Sequence, residues 1–313
     1  IARGAGLHTS STAGWRRYHE QAFAPFGAAQ QPMNEYFSNS TNRRYPSNLA
    51  GWVRYFQLAE IPVLAVTANA LEELRSIENE VDARMLNEVI AADPLATLKL
   101  MAYIARDYRG HHTTDVETVN QALVLMGITP FFKAFGEQPT IEQHLDGQPE
   151  ALEGLQAVIH RAHRAARFAL SFAVHRSDHD APVIHEAALL HDFAEMLLWL
   201  YAPPLALEIQ RYQSENPTLR SVSLQKVLLG TPLSDIQHAL MQLWRLPELL
   251  VNITDDRHEE ASQVRNVLLA IRLARHTAKG WDNPAVPDDV RDIAQLLTMG
   301  VGPTESLLLD LDQ

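Results

Sequence analysis

Residues 183–201 read VIHEAALLHDFAEMLLWLY, and this stretch decides the fold. Its apolar residues lie nearly all round a helical wheel, which marks a helix buried through the middle of a domain. Within it sits the pair His191-Asp192, and both side chains need partners once they are buried. One functional reading is a metal site, with imidazole and carboxylate ligating from one helix and other helices completing the shell. The plainer alternative is a structural polar pair satisfied by its neighbours.

The pattern stays helical on both sides. Upstream, Ala151–His175 reads as one long helix, preceded by a polar stretch, Glu137–Pro149, that separates two helical halves. Asp146-Gly147 in that stretch suits a hairpin turn, but no alternating strands flank it, so a loop is expected. In the first half, helices are expected over Ala68–Glu80 and Asp82–Ala92. Asp93-Pro94 supplies a cap and a helix-starting proline for the next. Thr114-Asp115 is expected to cap a run that Gly127 stops, and Thr129-Pro130 to open a short helix. Downstream, helices are expected at 203–214, 219–229, 232–244, 259–279 and 287–298, ending in a Leu-rich turn near Leu307–Leu311. No fixed-period repeat occurs, which argues against a solenoid. The expected fold is an all-α, multi-helix bundle of two halves.

Residues 1–57 lack periodicity and are expected to form an irregular, basic N-terminal arm. Residues 1–58 hold six Arg against two Glu, a net +4, which leaves −16 on the remainder of this 313-residue chain. A body at −16 repels phosphate backbones, so nucleic acid is not an expected partner. The arm is expected to dock on the acidic body or on a second subunit, making a homo-oligomer one outcome. With no cysteine, disulfides, thiolate zinc sites and cysteine nucleophiles are excluded. No apolar run reaches the roughly 18 residues of a membrane helix, and no signal peptide is visible. A cytoplasmic location is expected, with no membrane partner. The chain starts at Ile1 and not Met, so a trimmed natural start is expected.

Several separated elements, in order, resemble the HDOD family, a degenerate branch related to the HD phosphohydrolase superfamily and found in bacterial signalling proteins. They are His163 followed by His191-Asp192, Ile61-Pro62-Val63-Leu64, Ala92–Leu98, Val119–Gly127, Trp244-Arg245-Leu246-Pro247, and Arg257-His258 where that family often has paired His. The resemblance spans about residues 58–280, with 281–313 left as a helical extension.

In active members of the superfamily, the resemblance implies a first His, the His-Asp pair and a late Asp as metal ligands. Here the first His matches His163 and the pair matches His191 and Asp192. Another expected His falls near Leu233, the late Asp falls at Arg275, and a frequent Lys three residues past the Asp is Glu195. His258 is left as a fourth candidate ligand. At about 4 Å and an effective dielectric of about 20, Arg275 facing a divalent ion costs about 8 kcal/mol. His163, His191, Asp192, His258 and Arg275 are therefore read as vestigial positions, with no catalytic residue, metal or cofactor expected. Arg275 is expected to replace the metal by pairing with Asp192.

The function this implies is a non-catalytic regulatory module that contacts other signalling proteins. The alternatives are a metal-dependent phosphohydrolase of nucleotides or cyclic dinucleotides, and a small-molecule sensor using the vestigial cavity. Weaker clusters carry plainer readings. His111-His112 is read as a solvated turn, and His175 and His179 as flanking a surface loop. Arg161, Arg164 and Arg167 are read as a solvated stripe, with an acidic-partner dock as the sharper alternative. No Walker loop, GxGxxG turn, GxSxG elbow or HExxH helix is present.

Overall fold

Helix caps written into the sequence punctuate the chain. In the computed structural model, which describes residues 45–108, 116–216 and 219–312, the described residues contain α-helices, two short 3₁₀ turns and a single isolated bridge between Val63 and Thr140. The first half comprises α1 (Leu49–Gln57), α2 (Ala65–Ser76), α3 (Ala83–Ile90), α4 (Pro94–Asp107), α5 (Val119–Met126), α6 (Ile128–Ala134) and α7 (Ile141–His144). Asp93 caps α4 by accepting from the backbone N–H groups of Leu95 and Ala96, with Pro94 in the first turn. Its other oxygen accepts from Leu64 N–H at 2.8 Å, which ties the entry of α2 to the start of α4. Thr140 and Gln143 form a capping box on α7, so part of the expected loop is a short helix. Thr118 caps α5, while Thr114-Asp115 and His111-His112 lie outside the described residues.

The second half is built on α8 (Pro149–His175), a 27-residue helix. Around it run α9 (Ala181–Leu190), α10 (Phe193–Tyr201), α11 (Pro203–Glu215), α12 (Ser221–Leu229), α13 (Leu233–Leu243), α14 (Glu248–Ile253), α15 (Ser262–His276), α16 (Val286–Leu297) and α17 (Val301–Leu311). α8 packs against α9, α10 and α15, and these four helices hold the core. Nearly every residue from Val183 to Leu200 is buried, in accord with the apolar wheel.

Two expectations are corrected here. The stretch 183–201 is not one helix, because it breaks at His191-Asp192, with Asp192 at φ −110° and ψ 19°. Asp is a poor helix-interior residue, and its carbonyl restarts the ladder by accepting from the N–H groups of Glu195 and Met196. The chain end is also a full helix, α17, and not only a turn.

The described residues from Pro46 onward form one compact unit, and α1 lies inside it. Trp52 and Phe56 are fully buried, and the indole of Trp52 donates to the Leu229 carbonyl at 3.0 Å. Composition grouped residues 45–57 with the arm because α1 is too short to show a periodicity. Its aromatics nevertheless supply the buried face that packs on α13. The remainder of the expected arm, residues 1–44, lies outside the described residues.

Candidate functional site

The break between α9 and α10 turns His191 and Asp192 inward, and both are buried. A buried carboxylate is disfavoured unless it is paired, and Asp192 is paired on both oxygens. Oδ1 accepts from Arg275 Nη2 at 2.6 Å and meets His191 Nδ1 at 3.1 Å. Oδ2 accepts from Arg161 Nε at 3.2 Å and Arg161 Nη2 at 2.9 Å. The same Nη2 donates to Glu195 Oε2 at 2.7 Å, and His191 Nε2 meets Asp256 Oδ1 at 2.9 Å. The result is a closed network of two guanidiniums, one imidazole and three carboxylates.

Its electrostatics follow from these contacts. Burial alone raises the Asp192 pKa, but Arg275 and Arg161, with His191 alongside, hold it well below the usual carboxylate range. Burial likewise pushes the His191 pKa down, and Asp256 together with Asp192 outweighs it, lifting the imidazole to about 9. The two carboxylates thus favour the charged imidazolium.

The residues singled out from sequence fare differently. Arg275 projects from α15 to Asp192, and Leu233, at the start of α13, lines the small cavity of about 80 Å³ beside the pair. His163 is not brought to the pair. It is half-buried on α8, where burial lowers its pKa and its charged neighbours are Asp93, His160 and Arg167, with His185 close by. Two residues along a helix amount to roughly 200° of rotation, so the α8 residue facing Asp192 is Arg161. His258 is also elsewhere, exposed in the 3₁₀ turn 256–258 with Nδ1 3.3 Å from Glu260 Oε1. Asp256 from that turn reaches the site instead.

The arginine stripe does not exist as one face, because an i, i+3, i+6 series drifts by roughly 60° at each step. Arg161 joins the network. Arg164 is buried and grips Asp312 with two bonds of 2.7 and 2.6 Å, and only Arg167 is exposed. Spacing misses Arg161 and Asp256 as site residues. The available signal was Glu195: an acid where relatives often carry Lys calls for a compensating cation on the facing helix.

These residues do not fit the divalent metal that the resemblance implies for active superfamily members. Both oxygens of Asp192 are committed to guanidinium groups, whose positive charge faces the position a metal would take. Among the described residues, no group of three or more His, Cys, Asp or Glu side chains is arranged to hold a metal ion. No helix among them is long and apolar enough to cross a membrane.

The family model described as HDOD domain matches residues 61–260. No curated protein matches the chain. Among solved structures, the MmoQ response regulator from Methylococcus capsulatus str. Bath superposes with a TM-score of 0.57 at 17% identity, over 77% of this chain and 99% of its own. A virulence factor from Campylobacter jejuni subsp. jejuni superposes with a TM-score of 0.58 at 17% identity, over 84% of this chain and 93% of its own. At such identity the likeness is one of fold. The family match extends over most of the chain, and its span holds the His191-Asp192 break, Leu233, Glu195 and Asp256: the chain belongs to the HDOD family.

Proposed function

We propose that this chain is a non-catalytic regulatory module of signal transduction, acting through contacts with other signalling proteins. The observation that carries this reading is the double capture of Asp192 by Arg161 and Arg275. A phosphohydrolase of this superfamily needs the corresponding carboxylate free to hold a metal. Here that carboxylate belongs to a structural network whose groups neutralise one another. The solved relative described as a response regulator supports a signalling role for the fold.

Phosphoester turnover tests the catalytic half of the reading. Purified protein is assayed with Mg²⁺, Mn²⁺ or Fe²⁺ against p-nitrophenyl phosphate, nucleotides and cyclic dinucleotides. The expected result is no turnover above the protein-free control. Turnover that disappears in Asp192→Asn would overturn the proposal and restore the phosphohydrolase reading.

A further inference from the structure

A second cleft, of about 480 Å³, lies away from Asp192 and shares no lining residue with the cavities beside it. Its volume falls within the range of small-molecule sites. The walls come from both halves of the domain: α4, α6 and the 57–61 connection on one side, and Leu243-Trp244-Arg245 at the end of α13 on the other.

Two features set this cleft apart in an acidic protein. The first is its cations. Lys99 reaches it half-buried, with Nζ donating to Gln138 Oε1 at 2.6 Å and with no carboxylate within 4 Å among the described residues. Arg245 has no side-chain partner among the described residues, whereas Arg106 is already tied to Asp107. Burial lowers the Lys99 pKa, and the charges of Glu60, a carboxylate that also lines the cleft, and of Asp93 offset part of that. With Arg106 tied to Asp107, Lys99 and Arg245 still leave the lining net positive. An anion seated beside Lys99 would offset the burial penalty by favouring the charged ammonium.

The second feature is the backbone at Arg245. The Leu246 N–H bonds to the Met241 carbonyl and the Arg245 N–H to the Gln242 carbonyl, with Arg245 at φ +58°. This is a helix stop of the kind that ordinarily carries glycine. An arginine there costs backbone energy, and the residue is exposed at the lining of the cleft. Strain retained at an exposed residue beside a cavity points to a use for its side chain. Tyr103, Phe135 and Trp244 complete the lining and supply aromatic surface.

We propose that this cleft binds a small aromatic anion, a ring carrying one carboxylate or phosphate, with Lys99 and Arg245 gripping the charge and the aromatic wall holding the ring. Because the walls belong to both halves, an occupied cleft fixes one half against the other. That gives a signalling module an input separate from the Asp192 network.

Calorimetric titration of the full chain tests the site, with 4-hydroxybenzoate and phenyl phosphate as the two anionic arms. Phenol supplies the ring without the charge, and acetate and inorganic phosphate the charge without the ring. At least one aromatic anion is expected to saturate with a Kd below about 1 mM, with every control about tenfold weaker or more. Lys99→Gln and Arg245→Gly are each expected to weaken binding about tenfold, the loss of a charge-assisted contact. Arg245→Gly also removes the left-handed strain, so its melting temperature is expected to be no lower than that of the parent, which separates loss of binding from loss of fold. Absence of saturable binding by both anions, equal binding by a control, or binding unchanged in both variants would overturn the proposal.

Discussion

Arg275 on α15 and Asp192 at the head of α10 meet at 2.6 Å, yet the arginine side chain is 46% exposed while the aspartate is 5% exposed. The pair is therefore lopsided. Removing Arg275 leaves Asp192 still held by the better-buried Arg161, and water screens part of what is lost. Arg275→Ala is expected to cost about 1–2 kcal/mol. Arg161→Ala strands Asp192 Oδ2 and Glu195 together, with an expected cost of about 3–5 kcal/mol. Adding Asp192→Asn to Arg161→Ala should recover part of that loss. Urea denaturation of the four proteins measures the order, and an Arg275→Ala loss as large as that of Arg161→Ala would contradict it.

The His191 imidazole makes the network pH-dependent in a defined direction. Its folded pKa of about 9 lies above the ordinary 6.5, because Asp256 and Asp192 outweigh burial. The stability it contributes is fully present below about pH 6.5 and is lost as pH rises through about 9. The melting temperature of the parent should thus fall across this window, and His191→Gln should flatten the fall. Asp256→Asn should flatten it partly, since it removes the leading favourable charge. Equal slopes in parent and His191→Gln would show that the imidazole is not protonated in the fold.

The parts of this site legible in the sequence are those fixed by burial. His191 and Asp192 sit in an apolar run, so their need for partners is readable without coordinates. Arg275 is reached through the family resemblance, which puts the late Asp of active members at this position. What spacing does not fix is the rotation of α8. That helix buries residues over a wide arc, from Gly154 and Val158 to Ala165 and Phe168, so periodicity does not single out the face that meets Asp192. His163 and Arg161 are both compatible with the pattern, and only packing against α10 selects Arg161. Asp256 was hidden for a different reason. It lies in a short 3₁₀ turn, where no periodicity exists to tell Asp256 from His258. The break at residue 191 is likewise invisible to a hydrophobic pattern, because both of the resulting helices are buried.

Glu186, five residues before His191, poses a separate test. It is buried on α9, one oxygen accepts from the Val119 N–H at 2.8 Å, and the other has no hydrogen-bond partner. Burial, only partly offset by that bond, pushes its pKa up to about 8 from 4.5. A carboxyl with a raised folded pKa gives stability that is present below pH 4.5 and lost as pH rises through about 8. Glu186→Gln keeps an acceptor for Val119 and cannot ionise. The variant should match the parent near pH 4.5 and melt higher above pH 8. A variant that melts lower than the parent at every pH would mean that the charge is compensated in the fold.

Arg164 and Asp312 show how far apart in sequence the acidic and basic groups of this chain are matched. The guanidinium of Arg164 is buried on α8, and besides its two bonds to Asp312 it donates to Thr277 Oγ1 at 2.7 Å and to the Ala274 carbonyl at 3.3 Å. Trp281 Nε1 adds a bond to Asp312 at 3.0 Å. Burial raises the Asp312 pKa, but Arg164 and Trp281 more than offset it, so the carboxylate stays charged at neutral pH. The fork therefore clamps the end of α17 to the central helix, and its planar geometry matters as much as its charge. Arg164→Ala should cost about 3 kcal/mol, since it strands a mostly buried carboxylate. Arg164→Lys keeps the charge but not the paired bonds, and should cost about 1–2 kcal/mol. Asp312→Asn should loosen α17 specifically, seen as faster amide hydrogen exchange over residues 301–311 with protection in α8 unchanged. Uniform loss of protection throughout the domain would instead make the clamp part of the global core.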